Sequence, residues 1–140
     1  MNIKLDHIGW ITNDLDKFED FWVKGLGFIK DYEADLAPSK TKSLFGITST
    51  AKVFRYTKDD IYIEIHTFNP PVEKYTDSQD FNRFGINHVS IWVADREAFL
   101  KELVGKVQYL EVRRFHDPGG WDNIFIRDYD GNWIEVRTTL

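Results

Sequence analysis

Ile86-Asn87-His88-Val89-Ser90-Ile91-Trp92-Val93 is an apolar run with a histidine near its start. The chain has already used the same device at Leu5-Asp6-His7-Ile8-Gly9-Trp10-Ile11. Laying His88 on His7 brings Asp95 onto Asp14 and Phe99 onto Phe18, at offsets of 7 and 11 residues in both copies. A glycine then closes each segment, Gly25 lying 18 residues after His7 and Gly105 17 after His88. Further on, each copy has a second strand-like run around a glutamate, Ile61-Tyr62-Ile63-Glu64-Ile65-His66 and Asn132-Trp133-Ile134-Glu135-Val136-Arg137. Asp59 and Asp130 each stand 5 residues ahead of that glutamate. The separation of His from Glu is 57 residues in the first copy and 47 in the second, so the shortening falls between the helix and the last strand. Matches in register along both copies read as an internal duplication. Two imidazoles and two carboxylates in matched settings are what a duplicated divalent-metal site looks like.

Outward from these runs, the periodicity predicts the same order twice. The first strand ends near Ile11, Thr12 or Asn13 caps a helix, and Leu15, Phe18, Phe21, Trp22 and Leu26 form its apolar stripe up to Gly25 and Gly27. Strands are expected at 28–36, 52–56 and 61–68, the last two joined by a turn at Lys58-Asp59-Asp60, with 38–43 a loop. The second copy has a strand at 86–93 and a helix capped by Asp95, with Phe99, Leu100, Leu103 and Val104 buried. Strands near 107–115, 123–127 and 132–138 follow, with turns at Asp117-Pro118-Gly119-Gly120 and Asp130-Gly131. The organisation is therefore α+β: a βαβββ module over 1–68, a linker over 69–84 headed by Pro70-Pro71, and a second module over 85–140. Strand alternation puts Tyr62, Glu64 and His66 on one face and Ile61, Ile63 and Ile65 on the other. Trp133, Glu135 and Arg137 likewise oppose Ile134 and Val136, and Leu5, His7 and Gly9 oppose Ile8 and Trp10. The apolar faces call for helices as cover. The faces carrying His and Glu among aromatics then line a cleft.

Composition excludes several classes. Hydrophobic residues at 42% and aromatics at 16% describe a packed chain rather than a disordered one. A net charge of −5 with a pI near 5.3 is the wrong sign for a nucleic-acid backbone binder. Without cysteine there is no disulfide, no thiolate ligand and no cysteine nucleophile. The charged N-terminus does not read as a signal peptide, and no run approaches the ~20 apolar residues of a membrane helix. A cytoplasmic protein without a membrane partner is the expectation.

Several segments together resemble the vicinal oxygen chelate superfamily, which includes glyoxalase I, methylmalonyl-CoA epimerase, extradiol dioxygenases, and bleomycin- and fosfomycin-resistance proteins. They are Asp6-His7-Ile8-Gly9, Gly25-Leu26-Gly27-Phe28, Asn87-His88-Val89-Ser90 and Asp128-Tyr129-Asp130-Gly131-Asn132-Trp133-Ile134-Glu135-Val136. The last is similar to that family's Asp-Pro-Asp-Gly-Asn turn before its terminal glutamate ligand, with Tyr129 where proline is usual. The resemblance implies two tandem βαβββ modules forming a cupped mixed sheet around a metal-binding cleft. It implies His7, Glu64, His88 and Glu135 as the metal ligands, the four residues already isolated by the repeat. Such an N₂O₂ set suits Zn, Ni, Co, Mn or Fe better than Mg or Ca. It leaves about two octahedral positions for a small-molecule substrate with adjacent oxygens. The implied reaction is that of a lyase or isomerase of glyoxalase or epimerase type, with Glu135 or Glu64 removing a proton α to a carbonyl and the metal stabilising the resulting enediolate. Glu64 is the point on which the ligand set is nearer to glyoxalase I, since epimerases of the family often have glutamine there.

Two other functions fit parts of the pattern. A ring-cleaving dioxygenase would hold Fe(II) with His7, His88 and Glu135, leaving Glu64 as an extra carboxylate and drawing on His66 and Tyr62. A metal-free binding module would sequester a drug or metabolite, although members of that kind have typically lost the ligands. Trp121, Tyr62, His66 and Arg137 are the residues expected to meet substrate, with His66 also able to act as an outer donor to the ligands. Arg55 and Arg127 are further anion contacts to consider, His116 falls in an expected loop, and Glu111 and Asp128 are expected at the surface. The edge strand of a paired sheet favours association, so a homodimer is expected, with modules paired within one chain or exchanged between two.

Overall fold

The computed structural model describes residues 3–73, 85–116, 118–119 and 122–138. The chain divides into two compact units, the first built on strands β1 (Ile8–Ile11), β2 (Ile29–Leu36), β3 (Thr50–Lys58) and β4 (Ile61–Asn69), the second on β5 (His88–Trp92), β6 (Glu111–His116), β7 (Asp122–Arg127) and β8 (Trp133–Arg137). Each unit holds one four-stranded mixed sheet, ordered β1-β4-β3-β2 and β5-β8-β7-β6. In both, the first strand runs parallel to the last while the other pairs are antiparallel. This is the duplicated α+β architecture expected from the repeat. Among the described residues no helix is long and apolar enough to cross a membrane.

In the first unit the helical segment begins as α1 (Leu15–Glu19) and widens into a π-helical turn (Asp20–Gly25). Phe18, Phe21 and Trp22 from this segment are all buried, as are Ile63, Ile65, Phe54 and Tyr56 of the sheet. Ring centroids of Phe18 and Tyr56 lie 4.9 Å apart, and those of Trp10 and Trp22 5.2 Å, so the helix covers the face opposite Glu64. The cap is Asp14, not Thr12 or Asn13: its carboxylate accepts from Lys17 N, while the buried Thr12 hydroxyl accepts from Asp14 N. Asp95 does the same for α3 (Arg96–Lys106), accepting from Glu97 N and Ala98 N. The matched aspartates of the repeat are thus a pair of helix caps.

The segment 38–43, expected as a loop, lies within a second helix of this unit, α2 (Pro38–Phe45). Pro38 occupies its first turn, and Gly46 closes it with φ of 75° and its N–H on Lys42 O. A proline just inside and a left-handed glycine just past the end are local signals strong enough to make a helix of a polar sequence. Among the described residues the second unit shows no counterpart, and only residues 117–121 separate β6 from β7. This accounts for most of the extra length of the first copy.

In the second unit Ile124, Ile126, Ile134 and Val136 are buried, with Leu100, Leu103 and Val107 buried on the α3 side. Val104, expected in that stripe, is 61% exposed, and Phe99 is half-buried: the stripe runs through 100, 103 and 107 instead. Val107 itself is the C-cap of α3, so β6 starts later than expected. Asp128, expected at the surface, is buried and builds the β7–β8 turn. Its carboxylate accepts from Asn132 N at 2.7 Å and Asn132 Nδ2 at 2.9 Å, and Gly131, with φ of 94°, donates to Asp128 O. Glu111 is half-buried too, paired with Arg113 and Arg127. His116 is not in a loop; it ends β6 and pairs with Asp122 directly across on β7.

Candidate metal half-sites

The two units present their His and Glu in one register. His7 stands just before β1, and Gly9, two residues on, lies opposite Glu64. His88 opens β5, and Ser90, two residues on, lies opposite Glu135. Because the paired strands are parallel, this offset brings each imidazole beside its carboxylate. His7 Nε2 is 3.8 Å from Glu64 Oε1, and His88 Nε2 is 3.6 Å from Glu135 Oε2.

The residue preceding each histidine sets which nitrogen faces the glutamate. His7 Nδ1 is 2.7 Å from Asp6 Oδ2, and His88 Nδ1 is 2.8 Å from Asn87 Oδ1. An oxygen acceptor there requires the proton of a neutral ring to sit on Nδ1. In that tautomer Nε2 turns a lone pair toward a carboxylate, and a cation between the two acceptors would satisfy both. Asp6 and Asn87 had no role in the sequence reading. The legible signal was an oxygen-bearing side chain immediately ahead of the histidine in both copies.

The donors fit a divalent transition ion. Bonds of about 2.1 Å at tetrahedral or octahedral angles put neighbouring donors roughly 3.0–3.4 Å apart. The observed 3.6 and 3.8 Å lie within about half an ångström of that range, a matter of side-chain rotation. Each unit supplies one such pair; among the described residues no group of three or more His, Asp or Glu is gathered closely enough to hold an ion.

The other residues singled out by the sequence divide clearly. His66 lies next to Glu64, its Nε2 3.4 Å from Oε1, with only 12% of its side chain exposed. Burial pushes its protonation below the usual imidazole range, against the pull of Glu64 and with a small further push from His7. Tyr62 shares this face, half-turned to solvent beneath Arg55, whose guanidinium lies 5.6 Å from the ring. Arg55 is committed: it grips Asp31 with two nitrogens at 2.9 and 3.0 Å, which lowers the Asp31 carboxyl and raises the guanidinium. Arg127 is likewise engaged, with Glu111 and with the Gly131 carbonyl. With Arg113 it also closes over the Trp133 ring, at 4.8 and 4.5 Å, which explains why Trp133 is buried on the Glu135 face. Arg137 is exposed near the end of β8. Trp121 lies outside the described residues. Phe125, opposite Glu135 in the register and edge-on to His88 at 5.4 Å, is a flanking ring that the sequence reading did not select.

The family model of the Glyoxalase/Bleomycin resistance protein/Dioxygenase superfamily matches residues 4–136. The fold is similar to that of a glyoxalase family protein from Bacillus cereus, at 16% identity and a TM-score of 0.81, over 100% of this chain and 96% of that one. It is also similar to the fosfomycin resistance protein FosX from Mesorhizobium loti, at 20% identity and a TM-score of 0.63, over 100% and 94% of the two chains. A mutant of FosX from Listeria monocytogenes, complexed with Mn(II) and 1S,2S-dihydroxypropylphosphonic acid, is similar at 16% identity and a TM-score of 0.64, over 100% and 94%. No curated protein gives a significant match.

Proposed function

Since the chain belongs to the Glyoxalase/Bleomycin resistance protein/Dioxygenase superfamily, we propose that it is a divalent-metal-dependent lyase or isomerase of glyoxalase or epimerase type. In this reading His7, Glu64, His88 and Glu135 hold one Zn, Ni, Co, Mn or Fe ion, the two half-sites being joined within one chain or between two copies of it. The observation that carries the reading is the repeated geometry: in each unit an imidazole, oriented through Nδ1, turns its Nε2 to a glutamate on the neighbouring parallel strand. Mn(II) bound to the similar Listeria FosX fold is a precedent for an ion of this class.

When bound, the ion would polarise the oxygens of a substrate that chelates it through two adjacent oxygen atoms. The rest is the work of the chain. The histidines supply neutral lone pairs and keep their orientation through Asp6 and Asn87. A glutamate, Glu135 or Glu64, takes the proton α to the carbonyl and returns it to the neighbouring carbon. Phe125, beside Glu135 and His88, is an apolar wall against which the substrate carbon would rest. Tyr62 and Arg137 contact substrate, Arg137 meeting any anionic group because Arg55, Arg113 and Arg127 are already paired.

The dioxygenase alternative would leave Glu64 without a task. Its placement between His7 and His66 favours the four-donor set. The test is proton exchange. The Co(II)- or Ni(II)-loaded protein, incubated in D₂O with a panel of α-hydroxycarbonyl and hemithioacetal compounds, should exchange the α-proton of at least one, seen by NMR. Glu135→Gln should abolish that exchange. Oxygen uptake on catechols with Fe(II), and no α-proton exchange on any compound, would overturn the proposal.

A further inference from the structure

We propose that His66 is the positioning residue of the first half-site, its Nε2–H holding Glu64 Oε1 so that the carboxylate keeps one orientation toward the ion. This rests on the reading of His7, Glu64, His88 and Glu135 as ligands. Two imidazole nitrogens converge on Glu64 Oε1, His7 Nε2 at 3.8 Å and His66 Nε2 at 3.4 Å, and they are chemically different. Asp6 draws the His7 proton to Nδ1, so His7 offers Glu64 a lone pair. No hydrogen bond is made to His66 Nδ1 among the described residues, so the carboxylate beside Nε2 draws the proton there. His66 donates where His7 ligates. At 3.4 Å the contact is longer than an ordinary hydrogen bond, and a turn of the Glu64 carboxylate about its side-chain torsions would bring it into line with Nε2–H.

The ring that does this is held in place. Phe45 meets His66 edge-on at 5.0 Å and Phe68 stacks on it at 6.3 Å, while buried Val53 lies across from it on β3. Phe45 comes from α2, a helix with no counterpart among the described residues of the second unit. That difference extends to the glutamates. At the position of β8 that corresponds to His66 stands exposed Arg137, and the residue across from Glu135 is Phe125, which has no proton to donate. Among the described residues the Glu135 carboxylate meets His88 alone, whereas Glu64 has His66 beside it as well as His7. The helix α2 acts as the clamp that makes the two half-sites unequal.

The test uses the whole protein and Co(II). In wild-type protein, ¹⁵N-histidine NMR should find the proton on Nδ1 for His7 and on Nε2 for His66; an Nδ1–H tautomer for His66 overturns the proposal without any variant. His66→Phe preserves ring packing and removes the donor, and His66→Gln restores an amide donor. His66→Phe should weaken Co(II) binding about 10-fold or more and change the visible absorption of the bound ion, with His66→Gln recovering most of both. Wild-type affinity and spectrum in His66→Phe, or a His66→Gln as weak as His66→Phe, would overturn it. The arms separate the two claims. Co(II) binding that is lost in His7→Ala and untouched in His66→Phe sinks this inference alone, whereas no Co(II) binding by wild-type protein sinks the ligand reading and this with it.

Discussion

Removing the acceptor that orients His88 should weaken metal binding more than removing the one that orients His7. Asn87→Ala deletes an oxygen 2.8 Å from His88 Nδ1, and Asp6→Ala one 2.7 Å from His7 Nδ1, so the two distances predict nothing different. Burial does. The Asp6 side chain is 92% exposed, so water can take over its acceptor role, whereas Asn87 is half-buried and its replacement by water is hindered. Losing an outer partner of a ligating histidine typically lowers affinity 10–100-fold, equivalent to about 1.4–2.7 kcal/mol. Asn87→Ala should fall in the upper part of that range and Asp6→Ala at or below its lower end. Asn87→Asp, which keeps an acceptor in place and copies the first half-site, should stay close to wild type. Titration of apo protein with Co(II), followed by visible absorption and calorimetry, measures all three. Equal losses, or a loss in Asn87→Asp as large as in Asn87→Ala, would refute the argument that acceptor identity and shelter set the tautomer.

Two further predictions concern the frame that positions the half-sites. Tyr56 is fully buried and donates to Glu19 Oε1 at 2.7 Å, so Tyr56→Phe should lower unfolding stability by about 1–2 kcal/mol in urea titrations at neutral pH. Burial, and then Glu19, raise the Tyr56 hydroxyl well above the usual tyrosine range; its contribution is present in full below about pH 10 and lost as pH rises beyond that, a slope the phenylalanine variant should lack. Asp128→Ala removes two hydrogen bonds from a buried carboxylate and leaves Asn132 N without its acceptor, so a loss of about 2–4 kcal/mol is expected. Asp128→Asn should recover part of it, and an unchanged midpoint in Asp128→Ala would contradict the assigned role in the turn.

The duplication was legible because the two copies repeat side chains whose burden is the same: a cap at Asp14 and Asp95, a buried apolar face at Ile63–Ile65 and Ile134–Val136, and a glutamate between. The His–Glu register follows from these, since a parallel pairing of first and last strands leaves little freedom once both apolar faces turn to the helices. The helix α2 was not legible from hydrophobic period, because Pro38–Phe45 is mostly lysine, serine and threonine; its evidence was the spacing of Pro38 and Gly46. Asp14 was missed as cap because Thr12 and Asn13 offer the same chemistry two and one residues earlier, and only the buried Thr12 hydroxyl, turned to Asp14 N, decides among them. Asp128 was expected at the surface although it opens the turn segment, because the burial that pairs it with Asn132 arises only once β7 and β8 are hydrogen-bonded. The orienting oxygens of Asp6 and Asn87 were quoted within both motifs, yet a role for them depends on a side-chain distance that spacing does not give.

In the proposed site one ion takes a histidine and a glutamate from each of the two copies. Elemental analysis of protein purified without chelator, together with His7→Ala, Glu64→Gln, His88→Ala and Glu135→Gln, tests it directly. One tightly held transition ion per chain is expected, lost when a ligand is removed from either copy. Full occupancy in the two variants of one copy, with loss confined to those of the other, would contradict it.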